Sequence, residues 1–524
     1  MNENVYNVEN RVCYLENQND CLGGNVKDKL EKFNEYREKI SFHKHVITQL
    51  QWDMQTQTPS KGFADKVEAV TYFSSQAFQL QTSEEYGKLL KSLLKEKEFE
   101  ELDEAMQITI KREWKEYEEN KRVPKEFYEE MVRASAHSQK AWEEAKQKKD
   151  YSIFCPHLQK MIDYRKQLME YTRPDMEVYD AMLDAFEEGM DSETIDRLFG
   201  ELKAGLVPLL QRIAKKTEPD RSIFRGEFPK HLQQEWSGFL LDYIGYDKEA
   251  GVMSESEHPF TMGFGPKDVR VTNHYRKDEA INAMFSIIHE GGHAIFEQGV
   301  DEQYEKTALT EINFLGLHES QSRFYENILG RNINFWRPIY IKLGEYFPQF
   351  QQISLKDFYR EINHVAPGLI RIDSDEVSYS LHIILRYEIE KAIFRNGVEA
   401  KDLSKLWNDK MEELLGIRPE NDTDGILQDT HWSDGSFGYF PTYALGNIFD
   451  GMFLEALTEE LGDVDTLLAD GRIRDITDWL HEKIHKYGSL RTGKEVVEHV
   501  CGKEISAKPI LKYFEDKYTK LYDL

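Results

Sequence analysis

The sequence predicts a mainly α-helical protein with one small β element, and three observations support this. Apolar residues recur at three-to-four-residue spacing over most of the chain. One stretch, Asp268-Val269-Arg270-Val271-Thr272, alternates strictly between polar and apolar. The hydrophobic fraction of 40%, with 12% aromatic, is enough to build a large core, yet no run approaches the roughly 20 apolar residues that a membrane span needs.

Residues 1–26 are polar, Asn-rich and contain Gly23-Gly24, which predicts an N-terminal extension outside the core. The stretch 27–53 places Leu30, Phe33, Tyr36, Ile40, His43 and Ile47 on one helical stripe, and Pro59 and Gly62 end it. Charged amphipathic helices follow over 63–97, 100–121, 124–147, 155–172 and 192–216, with Pro124, Pro156 and Pro174 at or near their starts and gaps. The pattern changes from Gly245 to Tyr275, where Gly263, Gly265 and Pro266 punctuate a region holding the strand at 268–272. Helices resume over 278–298, 306–331, 354–364, 375–395, 400–416, 443–461 and 471–487. The aperiodic stretch Arg418–Pro441 is a loop, and loops on a rigid scaffold are where substrate groups tend to sit. No Pro-, Gly- or Ser-rich linker interrupts 27–524. That range therefore reads as one catalytic-size domain, with a helical lobe over about 27–245 and a second lobe over about 246–524.

The net charge of −28 disfavours nucleic acid and anionic membranes as partners. It suits an enzyme of neutral or basic small substrates. The N-terminal MNENVYNVEN lacks a basic and an apolar signal region, and the four cysteines (Cys13, Cys21, Cys155, Cys501) show no zinc-finger spacing. Together these predict a cytoplasmic protein with free thiols.

The chemistry centres on His289-Glu290-Gly291-Gly292-His293. On a helix, His289 and His293 lie one turn apart on one face, so two neutral imidazoles can hold a zinc ion there. Glu290 is then the candidate general base. Gly291 and Gly292 each cost about 1 kcal/mol in a helix interior relative to Ala, and their use implies a close approach of another backbone or ligand. A third ligand should lie downstream. Phe296 and Gly299 exclude the metzincin pattern, which needs Gly and His there. A Glu on the next helix is the alternative, with Glu311, Glu319 and Glu326 as candidates.

Several separated stretches share one pattern: His258-Pro259-Phe260, Asp268-Val269-Arg270-Val271-Thr272, the HEGGH at 289–293 and His318-Glu319-Ser320-Gln321. Ile370-Arg371 with Asp373 to Glu376 follows, and then Gly425-Ile426-Leu427-Gln428-Asp429-Thr430-His431-Trp432. With Trp52-Asp53, these motifs in this order resemble the thermostable carboxypeptidase Taq family of metallocarboxypeptidases over nearly the whole chain beyond the extension. The resemblance implies a helical, groove-containing fold of the neurolysin and angiotensin-converting-enzyme type, with a small antiparallel sheet beside the metal helix. It implies a homodimer, a zinc ion that cobalt can replace, and release of single C-terminal residues from peptides with a free C-terminus, with broad specificity. It matches His289, His293 and Glu319 to the metal ligands and Glu290 to the general base. Ser374 departs from the family, which usually has Ala there.

The remaining assignments combine chemistry with that resemblance. His431 and Tyr439 are candidate oxyanion donors. Arg371 is the candidate for the substrate carboxylate, because a guanidinium can grip both oxygens, and Tyr443 is its candidate helper. Asp268, Arg270 and Thr272 suggest an edge strand that pairs with a peptide backbone, with a purely structural sheet as the equal alternative. Asp375, Gln321 and Asp429 are candidates to orient the ligands. The competing readings are a helical zinc oligopeptidase that cuts internally or releases dipeptides, and a zinc-binding scaffold without catalysis. The intact Glu290 counts against the scaffold.

Overall fold

The computed structural model describes residues 26–524 apart from 96, 217–223 and 306. The expected extension, except Val26, and Cys13 and Cys21 lie outside the described residues. The chain forms two compact units. One comprises described residues up to Gln51 together with Ser60–Asn120; the other comprises Trp52–Pro59 and Lys121–Leu524.

The smaller unit consists of helices, among them most of Val26–Thr56, Phe63–Gln81, Glu84–Leu93 and most of Glu104–Arg122. The expected helix over 63–97 breaks at Thr82-Ser83, where the Ser83 side chain caps the next helix by accepting from the Tyr86 amide. Phe33, Ile40, Tyr86, Leu90 and Ile110 form its own core.

The larger unit holds the functional motifs. Its core is continuous from Phe154 and Leu202 through Trp236 and Ile288 to Phe449 and Phe514. The helices Lys125–Lys148, Tyr151–Thr172 and Ser192–Ile213 belong to this unit, so the compact units divide near residue 120, whereas the sequence pattern changes near 245. Helices not singled out in the sequence also form, at Val178–Phe186, Lys230–Ile244, Gly493–Cys501 and Lys508–Tyr522. No described helix is long and apolar enough to cross a membrane.

The β element is a three-stranded sheet of β1 (Met253–Glu255), β2 (Thr261–Gly263) and β3 (Val269–Asn273), in the order β1-β3-β2. It is mixed and not wholly antiparallel: β1 runs parallel to β3 and β2 antiparallel to it. The strand expected to offer a free edge is therefore the central one, paired on both sides. Its polar side chains are engaged within the protein. Thr272 is fully buried, its hydroxyl 2.6 Å from Ser256 Oγ and accepting from the Phe260 amide at 3.0 Å. Arg270 is held by both oxygens of Asp268, with its guanidinium over the rings of Phe264 and Trp52. Asp268, Arg270 and Thr272 thus build the sheet, and β2 is the edge strand on this side.

Candidate active site

The HEGGH residues lie on the helix Ile281–Gln298, which is largely apolar and buried over most of its length. Against it lies Leu315–Arg323, the helix that carries Glu319. Gly292 allows this contact. A Cβ there would come within 2.7 Å of the Gln321 carbonyl oxygen and 2.8 Å of Ser322 Cα, both backbone atoms that cannot yield. The second helix then widens into a π-type turn, Phe324–Leu329, which carries Glu326. Such turns often mark functional sites.

This packing brings His289, His293 and Glu319 together, each offering one ligand atom within 4.8 Å of the others. The Glu319 Oε2 atom is 3.7 Å from His289 Nε2 and 3.5 Å from His293 Nε2. Tetrahedral ligands at zinc-like bond lengths stand about 3.3–3.5 Å apart, so the donor set fits a borderline-soft divalent ion such as zinc. The opposite ring nitrogens are engaged elsewhere. His289 Nδ1 is 2.9 Å from Glu326 Oε2, and His293 Nδ1 is 2.6 Å from His318 Nδ1. Glu326 therefore reaches the histidine pair from behind, as a partner of the ring and not as a third ligand. It is itself held by Arg331.

The electrostatics are those of a buried, acid-rich cluster. Burial opposes protonation of His289, but Glu319, Glu326 and Glu290 outweigh it and lift the imidazole to about 9. Burial and the neighbouring His318 push His293 down to about 3. Burial would raise Glu319, yet His289, His293 and Arg323 bring it to about 2. Burial raises the Glu290 carboxyl above the usual glutamate range, against the pull of His289 and Thr261. Thr261, on β2, lies 2.7 Å from Glu290 Oε2 and holds that carboxylate in place.

A second cluster surrounds Arg371. Asp429 takes the side-on edge of the guanidinium, accepting from Nε at 3.1 Å and Nη2 at 2.8 Å, while Nη1 donates to the Tyr379 hydroxyl at 3.2 Å. Arg386, fully buried, donates to the other Asp429 oxygen from Nε at 2.7 Å. Asp429 thus serves two arginines and does not touch the metal ligands. Asp375 caps its own loop through Val377 and Ser378, and Gln321 lies 2.8 Å from His485 Nε2, and among the described residues neither side chain is hydrogen-bonded to a ligand. The two clusters are connected. Arg323 lies 3.7 Å from Glu319 Oε1 and stacks on the Tyr379 ring at 3.9 Å. Arg371 lies 5.1 Å from the Tyr443 ring centre, which packs edge-on against Tyr439 at 5.2 Å. The Tyr439 phenol is raised mainly by burial, and it feels both Glu319 and Arg371. His431 packs beside Tyr439 and Phe440, with its Nε2 3.5 Å from the Tyr443 hydroxyl. Burial brings it to about 4, and its buried Nδ1 has no hydrogen-bond partner among the described residues. The loop carrying His431 and Tyr439 is pinned by Glu390, which accepts from Trp432 Nε1, Tyr179 and the Gly438 amide.

A profile of the carboxypeptidase Taq (M32) metallopeptidase family matches residues 32–518. The chain belongs to that family. It is 41% identical over 494 residues to carboxypeptidase 1 of Bacillus subtilis, covering 94% of this chain and 98% of that protein. Against thermostable carboxypeptidase 1 of Thermus thermophilus it is 36% identical over 482 residues, covering 90% of this chain and 94% of that protein. The crystal structure of the M32 carboxypeptidase from Deinococcus radiodurans superposes with a TM-score of 0.91 at 30% identity, over 95% of this chain and all of the other. The Pyrococcus furiosus carboxypeptidase gives 0.89 at 33% identity, over 94% of this chain and 99% of the other. The protein is therefore a metallocarboxypeptidase, a peptide-bond hydrolase with the mainly helical fold of its family. These relatives favour carboxypeptidase action over the internally cutting alternative.

The sequence reading gave no role to Thr261, Tyr379, Arg323, Arg386 or Glu297. Only Glu297 carried a readable signal: it lies four residues after His293, on the same helical face.

Proposed function

We propose that this metallocarboxypeptidase holds one zinc ion, replaceable by cobalt, on His289, His293 and Glu319 and releases single residues from peptides with a free C-terminus. The observation that carries this reading is the convergence of those three ligand atoms beside the buried carboxylate of Glu290. When bound, the metal supplies Lewis-acid polarisation of the scissile carbonyl and acidifies water. Glu290, raised by burial and oriented by Thr261, takes the proton of the attacking water and delivers it to the leaving amine. Neutral His431 and the Tyr439 hydroxyl donate to the developing oxyanion. Arg371 receives the terminal carboxylate on the part of its guanidinium that Asp429 leaves, with Tyr443 beside it. The β2 edge, rather than Asp268–Thr272, is the strand suited to pair with the peptide backbone. We further infer a cytoplasmic homodimer. Light scattering at micromolar concentration should give twice the chain mass, and a monomer mass would refute it.

The test of the reaction is mass spectrometry of a peptide incubated with the metal-loaded protein. Stepwise loss of single C-terminal residues is expected. Internal fragments or dipeptides would transfer the assignment to the oligopeptidase reading, and no cleavage at all would leave a metal-binding scaffold.

A further inference from the structure

His293 does not face the protein alone. Its Nδ1 lies 2.6 Å from His318 Nδ1, with the ring centres 4.5 Å apart, and His318 Nε2 lies 3.1 Å from Glu297 Oε1. Two ring nitrogens at that separation share one proton, so one donates and the other accepts. Two arrangements are conceivable. In the first, Glu297 accepts from His318 Nε2–H, His318 Nδ1 accepts from His293 Nδ1–H, and the lone pair of His293 Nε2 is directed at Glu319. In the second, His318 Nδ1–H donates to His293. A neutral His293 then carries its proton on Nε2, where it blocks metal binding, and a neutral His318 presents a bare Nε2 to a bare carboxylate oxygen. Glu297 favours the first arrangement, whereas Glu319 can accept from His293 Nε2–H and favours the second until a metal takes that position.

We propose that Glu297 and His318 are positioning residues that act in series, setting the tautomer of His293 so that its Nε2 is free for the metal. The proposal rests on His289, His293 and Glu319 being the metal ligands. Carboxylate partners on metal-binding histidines are common, and here the carboxylate acts through an intervening imidazole. The geometry is built for it. Glu297 lies four residues after His293 on the same helix, and His318 directly precedes Glu319 on the facing one. The far end of Glu297 occupies space that only glycine at 263 leaves: a Cβ built there would lie 1.7 Å from Glu297 Oε2. Gly263 sits on β2 with no positive φ, so alanine suits its backbone, and the flexible glutamate tip is what must move.

The test is zinc affinity of the stripped protein, measured by competition with a chromophoric chelator, with circular dichroism as the check on folding. Glu297→Gln and His318→Gln should each weaken zinc binding by about 10–100-fold, the range typical of lost partners of a metal ligand. His318→Asn should retain most of the affinity, because its Oδ1 replaces the Nδ1 acceptor. Gly263→Ala alters no group of the relay, yet it should weaken zinc by displacing Glu297, and it decides the matter if the His318 variants do not fold. Zinc binding at wild-type strength in His318→Gln and Gly263→Ala, or equal losses in His318→Asn and His318→Gln, would overturn the relay. His289→Ala separates the two readings: it should abolish tight zinc binding whether or not the relay exists, and retained zinc in it would overturn the ligand assignment instead.

Discussion

Replacing Arg371 by alanine tests whether this enzyme recognises a terminal carboxylate. Arg371 and Arg386 both bind Asp429, but they differ in what else they do. Arg386 is fully buried and also donates to the His382 carbonyl and to Gln428. Arg371 sits at the edge of the cluster, its side chain 8% exposed and facing Tyr443. In Arg371→Ala, Asp429 keeps Arg386 as a partner. The fold should therefore lose no more than a charged hydrogen-bond contact, about 1.5–3 kcal/mol. In Arg386→Ala a buried charge network is broken, for which about 3–5 kcal/mol is typical. Catalysis should show the reverse ranking per unit of stability lost. Loss of a charge-assisted contact to the substrate carboxylate should remove roughly 2–4 kcal/mol of transition-state binding, about 30- to 1,000-fold in kcat/KM. The assay compares one peptide as free acid and as C-terminal amide, for wild type and Arg371→Ala, alongside urea denaturation. Wild type should process the amide poorly, and the variant should lose its activity on the acid while changing little on the amide. Equal cleavage of acid and amide by wild type would refute the carboxylate clamp.

Three further outcomes are expected. Glu290→Gln should keep near-stoichiometric metal by elemental analysis and lose about 10²–10⁴-fold in turnover, as general bases commonly contribute; undiminished turnover in the loaded variant would remove Glu290 from the chemistry. Gly292→Ala should lose about 1–3 kcal/mol of stability from overpacking and bind zinc weakly, because the added methyl meets backbone at 2.7 Å; calorimetry and zinc titration both check this, and wild-type zinc affinity would contradict it. Glu187, whose Oε2 accepts from the Gly316 amide while Oε1 is buried with no partner among the described residues, is raised by burial to about 8. Its native value lies above the ordinary glutamate value of 4.5, so its stabilising effect is complete below about pH 4.5 and lost as pH rises to about 8. Glu187→Gln, which resembles the protonated acid, should therefore match wild type near pH 5 and exceed it by a few kcal/mol near pH 9. An unchanged gap between the two pH values would show that Glu187 ionises freely.

The parts of the site legible in the sequence were those that repeat at short range. The histidine pair, Glu290 and the amphipathic helices are all fixed by the 3.6-residue period, and the motif order led to Glu319 and Arg371. What was not legible depends on which backbones meet. Alternation identifies a strand at Asp268–Thr272, one residue off the observed Val269–Asn273, but cannot show that β1 and β2 flank it, so the reading of it as an edge fails. The burial of Thr272 was not readable because its partner, Ser256, is 16 residues away in sequence. Asp429 was readable as a site residue, but its pairing with Arg386 across 43 positions was not. Spacing alone leaves Glu326 a candidate ligand, and the structure places it on His289 Nδ1, opposite the Nε2 that faces Glu319.

The two glycines that matter here show how such a site separates rigidity from adjustment. At Gly292 the neighbouring atoms are the Gln321 carbonyl and Ser322 Cα, part of the helix that presents Glu319. A methyl group there must push apart two helices whose contact sets the 3.5 Å and 3.7 Å separations between ligand atoms. At Gly263 the neighbouring atom is the tip of Glu297, which can swing away with little change to the strand. One position therefore governs whether three ligands converge, and the other governs only how one of them is protonated. Metal sites tolerate little error in ligand placement, and their outer partners change affinity by smaller factors. The placement of unyielding backbone behind the ligands and a yielding side chain behind the relay follows that order of tolerance. It also explains why a helix meant to hold a metal carries a glycine in its interior at a cost of about 1 kcal/mol: the close helix contact it permits sets the geometry that the chemistry needs.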